Sequence, residues 1–152
     1  MSLTPRFPLF VSLAGKPVLI VGGGAIASRR AHVLLRFGAR LTVVAPELSD
    51  LFEDILAQIT WKQDIYSGID GTYTIVLAAT DDRAVNRQVG LDAKSRNIPV
   101  SVADSGAESS FWFPAIAECE GIVAGLISET GDHSAVKQAA ALVRQALKEE
   151  MG

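Results

Sequence analysis

The segment "VLIVGGGAIASRRA", Val18 to Ala31, constrains the fold more tightly than any other stretch of the chain. Four consecutive apolar residues with no polar alternation describe a short strand covered on both faces. Three glycines follow at once. Ala27, Ala31, Leu34, Leu35 and Phe37 then recur at helical spacing, and Gly38 closes that helix. Gly22, Gly24 and Ala27 match the pattern G-x-G-x-x-G/A, with Gly23 between the first two. Gly22 permits the tight turn, Gly24 leaves room for a pyrophosphate against bare backbone, and Ala27 lets the helix pack on the strand. The unpaired N–H groups and positive dipole end of the helix face the phosphates. The turn therefore predicts a dinucleotide site; its alternative is a glycine turn with only a structural role.

The rest of the chain supplies the context such a turn needs. "RLTVVA" reads as the next strand, ended by Pro46. "ELSDLFEDILAQI" has helical periodicity and an acidic first turn, "TWKQ" reads as a short strand, and "YTIVLAAT" is a third strong apolar strand. "DDRAVNRQVGLDAKSRN" is a helix with Asp81 or Asp82 at its N-cap, and "IPVSVAD" returns to strand. This alternation predicts an α/β, Rossmann-like, doubly wound parallel sheet. The tail departs from the rhythm. "SSFWFPAI" and "GIVAGLIS" read as two further strands before the amphipathic helix "SAVKQAAALVRQALKEE", and they either extend the sheet or form a dimer surface. No repeat, linker or low-complexity stretch appears. The expectation is one domain over residues 1–152, with a nucleotide-binding core to about residue 115 and a dimerisation or substrate-side extension over about 116–152.

The second strand bears on the choice of cofactor. NAD sites usually place an acidic residue at its end, about 20 residues beyond the glycines, to bond the ribose. Here "VVAPE" puts Val44 and Ala45 at that place and Glu47 slightly beyond, where it either reaches the ribose or begins the next helix. No arginine follows the strand directly to grip a 2′-phosphate, which favours NAD over NADP.

Composition narrows the setting. No apolar run approaches the ~18 residues of a membrane span, and "MSLTPRFPLF" lacks the charged and apolar regions of a secretory signal. Cys119 is the only cysteine, which suits a reducing cytoplasm and a small packed side chain. The net charge of −3 argues against nucleic acid as a partner. The first 48 residues nevertheless carry six basic residues against Glu47 alone, an asymmetry that suits anionic ligands or simply solvated helix faces. Two distant histidines and one cysteine make no metal-ligand cluster. His32 reads as a surface or packed residue, and His133 as part of a loop before the last helix, suited to an anionic substrate edge.

The segments "FPLFVSLAGKPVLIVGGGAIASRRAHVLLRFGARLTVVAPE", "LAATDDRAVNRQV" and "IPVSVAD…FWFPAI" together resemble the NAD-dependent precorrin-2 dehydrogenase domain of siroheme synthases, over nearly the whole length. The resemblance implies oxidation of precorrin-2 to sirohydrochlorin with NAD accepting the hydride, and in many members ferrous iron insertion. It implies cofactor contacts at Ala25 and Ile26 after the glycines, at Pro46 and Glu47 after the second strand, and at Thr80 on the nicotinamide side. It assigns the catalytic aspartate to Asp104, whose plainer reading is a turn-forming residue before Ser105 and Gly106. A polycarboxylated substrate implies basic residues near the rim, Arg83 or Arg87. The family's Ser/Thr-Gly-Gly-x-Ser-Pro segment stands here as "SETGDHSA", and its usual C-terminal helical domain is expected to be absent. The reading is a cytoplasmic homodimeric enzyme. Two alternatives stay open: a non-catalytic NAD-binding module that senses the cofactor or docks onto a tetrapyrrole enzyme, and a dehydrogenase acting on another small substrate.

Overall fold

The computed structural model describes residues 4–151. The chain divides into two compact units, one spanning Val11–Phe111 and the other formed by the chain up to Phe10 and from Trp112 onward.

In the first unit the apolar runs become five parallel strands: β1 (Pro17–Val21), β2 (Arg40–Val44), β3 (Thr60–Lys62), β4 (Ile75–Ala78) and β5 (Val100–Val102). Their order in the sheet is β3-β2-β1-β4-β5, so the chain returns to the centre after β3 and continues on the far side of β1. The predicted parallel α/β sheet is thus present. Successive strand residues point to opposite faces, and each face buries its own helices. Leu19, Val21, Val76, Ala78, Val100 and Val102 join Val89 and Ala93 of helix α2 (Arg83–Ser95) in one core. Val18, Ile20, Leu41, Val43 and Leu77, in register on the other face, are equally buried, as are Ala27, Ala31 and Leu34 of α1 (Ala25–Arg36).

Two readings of this unit need correction. The amphipathic stretch after Pro46 forms a 3-10 helix, Asp50–Gln58, and not an α-helix. Its buried residues, Phe52 and Ile55, are three apart, the spacing that eclipses on a 3-10 helix. The strand expected in "SSFWFPAI" begins only at Ala115, because Ser109 and Ser110 close the outer edge of β5. Ser109 Oγ accepts from the Val102 N–H at 2.8 Å, and Ser110 Oγ from the Val100 N–H at 2.9 Å.

In the second unit β6 (Ala115–Cys119) and β7 (Ile122–Leu126) form an antiparallel hairpin as a separate sheet, and so do not extend the parallel one. The turn is Glu120–Gly121, both with positive φ, which matches the twist of a two-residue hairpin loop. Helix α3 (His133–Met151) follows and starts at His133 itself, with Asp132 Oδ1 accepting from the Ala135 N–H at 3.0 Å. Arg144 Nη2 donates to the Ile116 carbonyl at 2.8 Å. The N-terminal segment falls with this unit instead of the nucleotide core. The Arg6 guanidinium stacks 3.8 Å from the Trp112 ring centroid, and the Arg6 N–H donates to Glu129.

Candidate functional site

Because the strands of the first unit are parallel, their carboxyl ends share one rim. Register aligns those ends: Val21 lies beside Val44 and Ala78, and Ala78 beside Val102. The residues just past them continue the ladder, with Gly22 N–H donating to Val44 O, Ala79 N–H to Val21 O and Ala103 N–H to Ala78 O. Gly22, Thr80 and Asp104 therefore stand within two residues of the ends of β1, β4 and β5, with Pro46 and Glu47 just past β2. Ligands of open parallel sheets bind outside this edge, where the strand order reverses.

The three glycines do different work. At Gly22, φ is +133° and an added Cβ would meet the Ala79 carbonyl oxygen at 2.2 Å. At Gly23 it would meet the Glu47 carbonyl oxygen at 2.0 Å. Both are demanded by the chain's own packing. Gly24 differs: an added Cβ would find nothing within 4 Å. This residue is exposed and N-caps α1 with no side-chain hydrogen bond, and the first turn holds no acidic residue. Ala25 and Ile26 are exposed beside it, while Ala27 is fully buried. The helix start therefore leaves its orphan N–H groups and positive end open to an anion over bare backbone. These residues fit the diphosphate of a dinucleotide.

Neighbouring groups hold the cradle. The Ser49 N–H donates to Gly23 O at 2.8 Å, and Trp61 Nε1 donates to Ala45 O at 2.9 Å, fixing the loop of Pro46 and Glu47. Within α1, Ser28 Oγ donates to Leu51 O at 3.0 Å. His32 packs here too, with its Nδ1–H donating to Ser28 O at 2.7 Å and Nε2 lying 2.9 Å from both Asp54 carboxylate oxygens. The Ser28 carbonyl and then the Asp54 carboxylate raise its pKa above the usual histidine value. Burial, and next the charge of Arg29, lower the Arg30 pKa to about 10, so it stays cationic at neutral pH.

Sequence reading missed Asn86. Its side chain is fully buried. Asn86 Oδ1 accepts from the Thr80 N–H at 3.0 Å and from Thr80 Oγ1 at 2.7 Å, while Nδ2 donates to Thr80 O at 2.9 Å. Thr80 is thereby locked at the rim. Asp82, not Asp81, caps α2, accepting from the Ala84 and Val85 N–H groups.

Arg83, expected to attract substrate, is engaged by the chain itself. Its Nη1 donates to Asp104 Oδ1 at 2.6 Å, and its Nη2 to Glu108 Oε1. Arg87 remains on the exposed side of α2. Among the described residues no three His, Cys, Asp or Glu side chains group to hold a metal ion, and no helix is long and apolar enough to cross a membrane.

Strand order, rim and glycine cradle define a dinucleotide-binding domain of the doubly wound type. Residues 9–115 match a family model described as "Putative NAD(P)-binding", and the chain belongs to that NAD(P)-binding family. It is 48% identical over 148 residues to the "Probable multifunctional siroheme biosynthesis protein HemA" of Ruminiclostridium josui, covering 95% of this chain and 29% of that protein. It is 46% identical over 127 residues to the "Siroheme synthase" of Psychrobacter sp. (strain PRwf-1), covering 80% of this chain and 26% of that protein. The chain thus spans less than a third of the length of these relatives. Among solved structures it is similar to "SirC, precorrin-2 dehydrogenase", with a TM-score of 0.76 and 26% identity over 93% of this chain and 71% of that one.

Proposed function

We propose that the chain is an NAD-dependent oxidoreductase that converts precorrin-2 to sirohydrochlorin, working as a cytoplasmic homodimer. The observation that carries this reading is the shared rim: the bare backbone of Gly24 and the carboxylate of Asp104 follow parallel strands whose ends lie in register. The relatives' printed names and the similarity to a precorrin-2 dehydrogenase support the substrate.

In this reading Gly22, Gly23 and Gly24 seat the diphosphate, with Ala25 and Ile26 presenting the first N–H groups of α1. Pro46 and Glu47 flank the ribose side. Thr80, held by Asn86, lines the nicotinamide. The bound dinucleotide supplies the hydride acceptor. Oxidation of the macrocycle removes a hydride, which leaves with its electron pair, and a proton. Asp104 takes the proton from a ring C–H or N–H, whose bonding pair stays in the macrocycle as part of the new double bond. If ferrous iron enters as a further substrate, the same carboxylate accepts the pyrrole protons it displaces.

The test is absorbance of sirohydrochlorin formed from precorrin-2 and NAD by purified protein, beside Asp104→Ala. Turnover that vanishes in the variant while NAD still binds is the expected result. A variant that oxidises precorrin-2 at the normal rate refutes the role given to Asp104. Cofactor binding with no turnover in the wild type would instead make the chain a cofactor-sensing module.

A further inference from the structure

We propose that Arg83 is a positioning residue for Asp104, clamping the direction of its carboxylate at the rim; this rests on the base role just given to Asp104. Arg83 is the first residue of α2, and its backbone is set by the Asp82 cap beside it. The two terminal nitrogens of its guanidinium reach two carboxylates on one short segment, Asp104 and Glu108. A planar fork with each arm engaged fixes both direction and rotation, which an ammonium group cannot do.

The segment does not need this clamp in order to fold. Ser105 Oγ accepts from the Glu108 N–H at 3.3 Å, and Ser109 Oγ donates to the Ser105 carbonyl at 3.0 Å while accepting from Val102. Hydroxyls thus hold the backbone from Val102 to Ser109, and the direction of the Asp104 carboxylate is what Arg83 adds. Exposure leads to the same conclusion. The side chains of Arg83, Asp104 and Glu108 are 46%, 41% and 34% exposed, and ion pairs that wet contribute little to stability. Their effect belongs in the orientation of a reacting group, where small misplacements are expensive.

The experiment measures kcat with precorrin-2, NAD affinity and thermal midpoint for wild type, Asp104→Ala, Arg83→Gln, Arg83→Lys and Glu108→Gln, together with crystal structures of wild type and Arg83→Gln. Arg83→Gln should lose roughly ten- to a hundredfold in kcat, with NAD affinity unchanged and a midpoint within about 3 °C of wild type. Arg83→Lys keeps the charge but not the fork and should fall nearly as far, whereas Glu108→Gln loses less. Crystals should show one Asp104 rotamer in wild type and several in Arg83→Gln. Arg83→Gln or Arg83→Lys at wild-type kcat, with Asp104→Ala inactive, overturns the clamp and leaves the base assignment standing. Full activity of Asp104→Ala overturns the base assignment, and the clamp's role falls with it. A single unchanged Asp104 rotamer in Arg83→Gln overturns the clamp whatever the kinetics.

Discussion

Replacing Gly24 by alanine should separate cofactor binding from folding at a single methyl group. The backbone there has φ −95° and ψ −163°, a conformation open to any L-residue, and the new Cβ points into space with no atom within 4 Å. Alanine is a poorer N-cap than glycine by about 1 kcal/mol, but it also restricts the unfolded chain by about 0.4–1 kcal/mol, so the net change is about 1 kcal/mol or less. The thermal midpoint should therefore move by no more than about 3 °C. Binding is another matter. With the diphosphate seated as proposed, a methyl at this position removes at least one charged hydrogen bond to the uncapped first turn, about 1.5–3 kcal/mol. That corresponds to roughly ten- to a hundredfold or more in Kd. Titration of NADH fluorescence, with a melting curve of the same sample, reads both quantities. Gly22→Ala is the control of opposite sign. A Cβ 2.2 Å from the Ala79 carbonyl oxygen at φ +133° forces the β1 and β4 ends apart and should cost about 3 kcal/mol or more of stability. If Gly24→Ala binds NADH within twofold of wild type, the cradle argument is wrong.

Three further outcomes follow from the same contacts. Asn86→Ala removes the buried partner of the Thr80 main chain and hydroxyl and should lower the urea unfolding free energy by about 2–4 kcal/mol; with the nicotinamide placed beside Thr80 as proposed, NAD binding should weaken as well. Ser109→Ala orphans the Val102 N–H on the sheet's outer strand and should cost about 1–2 kcal/mol by the same measurement. The third concerns pH. His32 has a raised folded-state pKa, so its contribution is complete below the unfolded value of about 6.5 and is lost as pH rises through the folded value. The pair is partly exposed, the Asp54 side chain most of all, so the effect is small. His32→Gln should reduce the fall in thermal midpoint between about pH 6 and pH 8, and an unchanged fall would show that the imidazole carries none of it.

The strands were legible because a sheet covered on both faces demands unbroken apolar runs, and "PVLIV" and "IVLA" have no other comfortable place. The glycine turn was legible for a similar reason, since only bare backbone fits at Gly22 and Gly23. What failed were distinctions that periodicity cannot make. An amphipathic run with Phe52 and Ile55 buried serves a 3-10 helix as well as an α-helix. Ser109 and Ser110 looked like the start of a strand, because nothing local reveals that a hydroxyl will replace a neighbouring strand's carbonyl. Asn86 did leave a trace: it shares a stripe with Val89, Gly90 and Ala93, the buried face of α2. A polar side chain at helical spacing on an apolar stripe asks for a buried partner. Arg83 was read as a cation near the rim, but its pairing left no trace, since its carboxylates are 21 and 25 residues away.

The contact between Gly23 and the Glu47 carbonyl has a consequence for anyone wishing to re-engineer nucleotide preference. The loop proposed to face the ribose is braced against the glycine turn proposed to seat the phosphates, with the Ser49 amide tying them a second time. Pro46 and Glu47 are both exposed, so substituting them disturbs little of the packing. Inserting or deleting a residue there would displace Gly23 and the glycine turn with it, so changes at this edge are better made by substitution at constant length.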